Sequence, residues 1–588
     1  MQRIIPMPHI CEEREGAFAL AGAVVFVKEG TDSRVIAEVS ELFGGNIKKC
    51  DGMPAGRAVF VHHGELGEGY ELTVTCDSIV ICGEGAEGAF YAVQTLRQLM
   101  GDSVPCCYIK DRPDLKYRGL YLDVSRGRVP TLAKLKSIAD TLARYKMNSL
   151  QLYIEDAFTF RELEGIADET NALTPDEIKE LDAYCRQHFI DLVPSMASFG
   201  HLFTLLQSDR YNHISELKGH RMTRNYWLER QWHHTVDVYH PETIEVIGSM
   251  LRQFIPLFTS EYFNICCDET HDLCNGTNLG RDKGEAYFYH VEKLIDIVSS
   301  YGKKVMMWGD ECMARPDMAK ERLPEDVTVL NWCYRHEVAE WIPKMFWERG
   351  FSQICCTGTS GWDNFIENIN ISTGNITSFA AHAKKYNARG LLNTSWGDFG
   401  HVCSFNCNLY GLAFGAEKSW NVLSDTDTEY ETAASLLIYG IREFNMAEVL
   451  RRLGKASQSC SWSEFVMWHS ATHLEGGDAT LKMGGDRNGE YTEEDVKAHI
   501  DICREERERL EALGREDAVI SDLILACRAL ELMNRLVLCI NNADGYGDRT
   551  ALQVDINNWL DDYSTAWLRD DKSSDLWRLQ EFLEKITE

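Results

Sequence analysis

Between residues 116 and 425 the chain repeats one pattern. A short apolar run, with little polar alternation, is followed by a segment whose apolar residues recur at helical spacing. The runs lie at 119–124, 149–154, 190–195, 262–267, 304–308, 328–332, 353–357 and 390–395. Helical segments between them include 131–145, 175–188, 241–258 and 285–301. Runs of this kind fit strands buried on both faces, as in parallel sheets. Eight strand–helix units in about 300 residues predict a (β/α)8 barrel, with domain bounds of 113–425. An open doubly wound sheet is the alternative, but no G-x-G-x-x-G or phosphate loop opens any of these helices. Residues 1–112 mix short β-like runs (23–27, 58–61, 78–82) with helical stretches such as 85–100, and predict a small α+β domain. Beyond 426 strand patterns disappear. Helices are predicted over 428–444, 462–473, 493–513, 517–539 and 555–569, giving an α-helical domain at 426–588.

A chain of 588 residues suits several domains. The 91 acidic and 60 basic side chains leave a net charge of −31. Nucleic acid and anionic membranes are therefore not expected as partners, because both require a basic footprint. No segment is long and apolar enough to span a bilayer. The first residues show no apolar h-region or cleavage pattern, so no signal peptide is expected. The 20 cysteines are scattered, and the pairs at 106–107, 266–267 and 355–356 are vicinal. This is reduced-compartment usage and points to the cytoplasm. Cys267, His271 and Cys274 are the best metal candidates, but buried free thiols are the simpler reading. No metal or other cofactor is expected.

Chemistry concentrates where barrel enzymes place it, at the ends of the strand-like runs. The run at 262–267 stops at two adjacent carboxylates, Asp268 and Glu269. Neighbouring acids at the end of a buried strand perturb each other's ionisation, a cost often retained for use. The other ends carry Asp123 and Arg126; Glu155 and Asp156; His201; Trp308, Asp310 and Glu311; Trp332 and Tyr334; Trp362, Asp363 and Asn364; and Trp396 and Asp398. Indoles stack on the apolar faces of sugars, while acids and an arginine bind hydroxyls. Trp residues at four successive ends predict a carbohydrate pocket.

RGLYLDVSR (118–126), KMNSLQLYIED (146–156), PSMASFGH (194–201), CDE (267–269), WGDE (308–311) and SWGD (395–398) occur in an order that resembles glycoside hydrolase family 20, the β-N-acetylhexosaminidases. GAFYAVQTLRQL (88–99) is similar to the end of the small domain preceding that family's barrel. The resemblance implies exo-acting, retaining, substrate-assisted hydrolysis of terminal β-linked GlcNAc or GalNAc. It implies Glu269 as general acid and base, Asp268 as holder of the substrate's acetamido N–H, and Asp156 and His201 as a relay to Glu269. It also implies Arg126 and Asp398 at the sugar hydroxyls, and Trp308, Trp332 and Trp396 around the acetamido group.

The chain departs from the family where Asn264 and Cys266–Cys267 replace His-x-Gly-Gly, and where YIED replaces a His-bearing pattern on strand two. The family's strand-seven Tyr and Asp have no clear counterpart. Trp362 and Asp363 stand there, and Tyr334 is available from strand six. The expected partners are small glycans or glycoconjugates with a terminal N-acetylhexosamine, and the helical domain offers a contact for a homodimer. Two rival readings are a non-catalytic amino-sugar-binding protein and a metal-dependent hydrolase using Asp268, His271 and His201.

Overall fold

The computed structural model describes residues 3–54, 56–232, 234–459, 461–476, 481, 483, 491–584 and 586–587. Eight parallel strands close into a barrel, numbered here one to eight along the chain: Tyr117–Asp123, Ser149–Ile154, Asp191–Met196, Tyr262–Asn264, Lys304–Trp308, Thr328–Trp332, Ser352–Gly358 and Gly390–Ser395. Closure comes from strand eight against strand one, with Gly390 opposite Tyr117 and Ser395 opposite Leu122. Seven of the eight predicted runs coincide with strands to within two residues at either end. Strand four is the exception, ending at Asn264 rather than at residue 267. Cys266 and Cys267 adopt φ of 58° and 66°, a left-handed conformation that leaves the β region and ends the strand.

Helices Leu132–Arg144, Pro175–Gln187, Pro241–Phe254, Lys283–Ser300, Trp341–Glu348, Ile369–Lys385 and Leu409–Trp420 surround the barrel. The second starts at a capping box, in which Thr174 accepts from Glu177 N–H and Glu177 accepts in return, with Pro175 at the first helical position. Residues before the barrel form a seven-stranded mixed sheet with helices Ser33–Phe43 and Ala86–Leu99. It docks through buried charge. Asp111 meets Lys146 at 3.3 Å and accepts from Trp420 Nε1 at 2.9 Å.

The C-terminal region is helical: Thr428–Tyr439, Met446–Ala456, Trp462–His469, Glu493–Glu511, Ala518–Ile540, Arg549–Asp570 and Leu576–Leu583. The predicted helix over 428–444 stops at Tyr439, because Gly440 takes a left-handed φ of 66° and caps it. The chain then returns to the barrel mouth. Arg128 meets Asp571 at 2.5 Å and donates to Tyr563 OH at 2.8 Å. Among the described residues no disulfide forms, and no helix is long and apolar enough to cross a membrane.

Candidate active site

Strand four ends in a sequence of unusual turns that aims its carboxylates. Glu269 adopts φ of 47° and His201 φ of 57°. Such left-handed residues cost about 1–2 kcal/mol each and persist where surrounding contacts impose them. Here the contacts are specific. Asn264 Oδ1 accepts from Cys266 N–H at 2.9 Å, Tyr287 OH donates to Cys267 O at 2.8 Å, and Asp310 Oδ2 accepts from Glu269 N–H at 2.9 Å. Asp310 is thus the strut that holds the Glu269 backbone. Burial and then the nearby Asp268 push its carboxyl up to about 7.

The turns converge on His201. Its Nε2 lies 3.3 Å from Asp268 Oδ2 and 3.6 Å from Glu269 Oε2. Its Nδ1 lies 3.1 Å from Arg126 Nη2. A guanidinium only donates, so Nδ1 accepts, and the imidazole proton is assigned to Nε2, facing the two acids. Burial pushes Glu269 above its ordinary range; His201 opposes this shift and Asp268 adds to it.

Arg126 is the hub of the wall beside them. Its Nε donates to Glu155 Oε1 at 2.8 Å and its Nη1 to Asp398 Oδ1 at 2.9 Å, and its guanidinium lies over the Tyr153 and Trp396 rings at 5.0 and 5.4 Å. Glu155 Oε2 accepts in turn from Arg230 Nε at 2.8 Å. Burial raises the Glu155 carboxyl, but Arg230 and Arg126 outweigh it and hold it at about 2. The loops after strands one and eight touch at Gly127, where a Cβ would lie 2.3 Å from Gly400 O.

Aromatic rings continue the wall from Trp396. Trp308 and Trp396 have centroids 5.5 Å apart, Trp332 stacks on Tyr334 at 5.4 Å and 24°, and Trp362 meets Tyr334 edge-on at 5.1 Å. Trp396 Nε1 donates to Tyr334 OH at 2.9 Å. Gly358 ends strand seven where the Trp362 indole crosses it, since a Cβ there would lie 2.4 Å from the ring. The resulting pocket holds about 180 Å³ between Arg126, Asp268, Glu269, Asp398 and the aromatic wall. That is smaller than the ~300–1,000 Å³ of sites for drug-sized ligands, and suits one sugar ring.

Most of the predicted residues are therefore brought together, with two corrections. Asp156 does not contact His201. It pairs with Arg230 Nη2 at 2.7 Å and accepts from Thr204, on the far side of Glu155. Successive residues at a strand end point to opposite sides, so Glu155, in phase with Tyr153, reaches Arg126 and Asp156 does not. Asp363 is not among the lining residues; its carbonyl accepts from Trp462 N–H at 3.0 Å, tying the C-terminal region to strand seven. Gln231 lines the pocket, and Arg230 supports it. Neither was foreseen, because both lie in a long excursion after strand three without a motif. His201, Asp268 and Glu269 also bring potential ligand atoms within 4.8 Å of one another, as do His220, Glu229 and His234. The set Cys267, His271 and Cys274 is not among such groups in the described residues.

Comparison with known proteins follows the same architecture. Residues 115–389 match the catalytic domain of glycosyl hydrolase family 20, and residues 1–112 match domain 2 of that family. A β-hexosaminidase of Akkermansia muciniphila is 33% identical over 158 residues, covering 23% of this chain and 32% of that protein. One from Porphyromonas gingivalis is 24% identical over 324 residues, covering 47% and 40%. The chain therefore spans less than half the length of either relative. In fold, the chitobiase of Flavobacterium johnsoniae superposes with a TM-score of 0.63 at 18% identity, covering 100% of this chain and 99% of that one. With both of the family's domains matched in order and the paired carboxylates seated at the barrel mouth, the chain belongs to glycoside hydrolase family 20.

Proposed function

We propose that the protein is an exo-acting, retaining β-N-acetylhexosaminidase that removes a terminal β-linked GlcNAc or GalNAc from small glycans or glycoconjugates. The observation that carries this reading is the sharing of one imidazole edge by two adjacent carboxylates, at 3.3 and 3.6 Å, inside an aromatic pocket of about 180 Å³.

Glu269, with its raised pKa, is the general acid that protonates the glycosidic oxygen. Asp268 accepts the acetamido N–H and turns the acetamido oxygen toward the anomeric carbon. That oxygen displaces the aglycone, forming a cyclic intermediate. Water, deprotonated by Glu269, then opens the ring from the face the aglycone left. Two inversions give retention without a protein nucleophile. Tyr334 lines the pocket and accepts from Trp396 Nε1, and we read it as the hydroxyl that meets the acetamido oxygen in place of the family's strand-seven Tyr. Arg126 has its donors turned to protein partners and works through Asp398, whose side chain stays 24% exposed for the sugar hydroxyls.

The competing reading is a metal hydrolase, which the spacing of His201, Asp268 and Glu269 permits. A cation there would sit beside the Arg126 guanidinium, which is held 3.1 Å from His201. The test is release of nitrophenol from a chromogenic N-acetylglucosaminide, with and without a strong chelator. Equal turnover in both is expected. Loss of activity on chelation, restored by a divalent metal, would favour the rival; no turnover at all would overturn the enzymatic reading.

A further inference from the structure

A second and larger cavity adjoins the first. It holds about 610 Å³, more than three times the volume of the pocket containing Glu269. Its floor is formed by the loops after strands one to three, including Ser125, Asp156 and Phe203, and its roof by Asp575, Trp577 and Arg578 of the C-terminal region. The roof is pinned in place. Lys572 N–H donates to Val129 O at 2.8 Å, Lys572 Nζ to Ala172 O at 2.8 Å, and Ser574 Oγ to Gly127 O at 2.6 Å.

The two cavities are separated by one layer of side chains. Arg126 faces the smaller and Ser125 the larger; Gln231 lines the smaller and Arg230 the larger. The partition is the ion pair series Arg126–Glu155–Arg230, each contact 2.8 Å. The larger cavity is therefore not an extension of the catalytic pocket.

Its lining is both charged and aromatic. Arg230, with 4% of its side chain exposed, holds Asp156 at 2.7 Å, and Arg578 holds Asp575 at 3.1 Å. Arg578 also stacks 3.7 Å from the Tyr226 ring and 4.1 Å from that of Trp577, leaving the Trp577 indole 51% exposed. Both guanidiniums already hold carboxylates, and the remaining lining carboxylate, Asp168, accepts from Thr170 and Asn171, so a charged ligand would have to displace contacts already made. A neutral polyhydroxyl ligand can accept from the guanidiniums, donate to the carboxylates and lay an apolar face on the indole without breaking either pair. We propose that this cavity is a second carbohydrate site, separate from the catalytic pocket, that takes a neutral oligosaccharide of two or three sugars.

The test uses the full-length Glu269→Gln variant, which keeps the ligand intact, titrated by calorimetry with chitotriose and, separately, with maltotriose. For at least one of them, binding that depends on Trp577 and Arg578 is expected: Trp577→Ala and Arg578→Gln, each added to that background, weaken it tenfold or more. In the parent enzyme the same two substitutions leave hydrolysis of the chromogenic N-acetylglucosaminide within twofold, because neither residue touches the smaller pocket. Trp577 is half exposed and Gln preserves much of the Arg578 stem, so both variants retain the fold. If neither trisaccharide binds at millimolar concentration, or if all binding ignores both substitutions, the proposal is overturned. The readout does not depend on turnover, so it stands or falls apart from the hydrolase reading.

Discussion

Replacing Glu155 by Gln tests whether the buried charge pairs hold the pocket in shape. Gln keeps the volume and one acceptor but removes the charge that Arg126 and Arg230 share, each at 2.8 Å. The magnitude follows from the carboxyl's shift from 4.5 to about 2, which corresponds to about 3 kcal/mol of stabilisation in the folded state. Breaking a buried ion pair costs ~3–5 kcal/mol; the lower end applies here, since Arg126 keeps Asp398 and Arg230 keeps Asp156. The sign is fixed by linkage. The folded pKa is depressed, so the stabilisation is complete above the unfolded value and is lost as pH falls toward about 2. The variant should thus show its full deficit in denaturant unfolding at pH 7, and a shrinking deficit below about pH 4. If half of the loss is felt by Arg126 in the transition state, kcat/KM falls about tenfold. Unchanged stability and unchanged kcat/KM at pH 7 would refute the assignment of Glu155 as the residue that fixes Arg126.

Glu269→Gln is expected to abolish turnover of a disaccharide while sparing more activity on a nitrophenyl glycoside, whose leaving group needs little protonation; an equal small loss on both would remove Glu269 from the acid role. Activity should fall as pH rises through the elevated Glu269 pKa, because the acid form is the working one. Asp156→Asn should leave that limb in place, since Asp156 is paired with Arg230 and not with His201; a displacement of about one pH unit, worth about 1.4 kcal/mol, would return Asp156 to the relay. Digestion of a chitin oligomer should release monosaccharide first and shorten the chain one unit at a time, because the pocket accommodates one ring; early internal fragments would mean an open cleft.

The barrel was legible because its strands are buried on both faces and read as uninterrupted apolar runs. Strand four was overextended by three residues, because Ile265, Cys266 and Cys267 are as apolar as strand residues, and nothing in their side chains announces the left-handed turns at Cys266 and Cys267. Strand-end position identified Arg126, His201, Asp268, Glu269, Asp398 and the four tryptophans as neighbours. It could not choose between Glu155 and Asp156, which requires the phase of the strand. That phase was available: Tyr121 and Asp123 on strand one, and Tyr153 on strand two with Glu155 just beyond it, alternate in step, and both tyrosines pack against Trp396. Arg230 and Gln231 were invisible because their role depends on how a long loop folds back over the barrel, an arrangement set by tertiary contacts such as Arg230 with Glu155. Asp310 lay in a recognised motif, but only the backbone conformation of Glu269 gives it something to hold.

The central claim is that the substrate's own acetamido group performs the displacement. It is tested most directly by comparing kcat/KM for a nitrophenyl β-N-acetylglucosaminide with that for the matched β-glucoside, in the parent enzyme and in Asp268→Ala. Aligned intramolecular groups act at effective molarities of ~10⁵–10⁸ M. The parent should therefore favour the N-acetyl substrate by roughly 10⁴-fold or more, and Asp268→Ala should erase most of that preference. A parent enzyme that cleaves the two glycosides at rates within tenfold of each other would contradict the account.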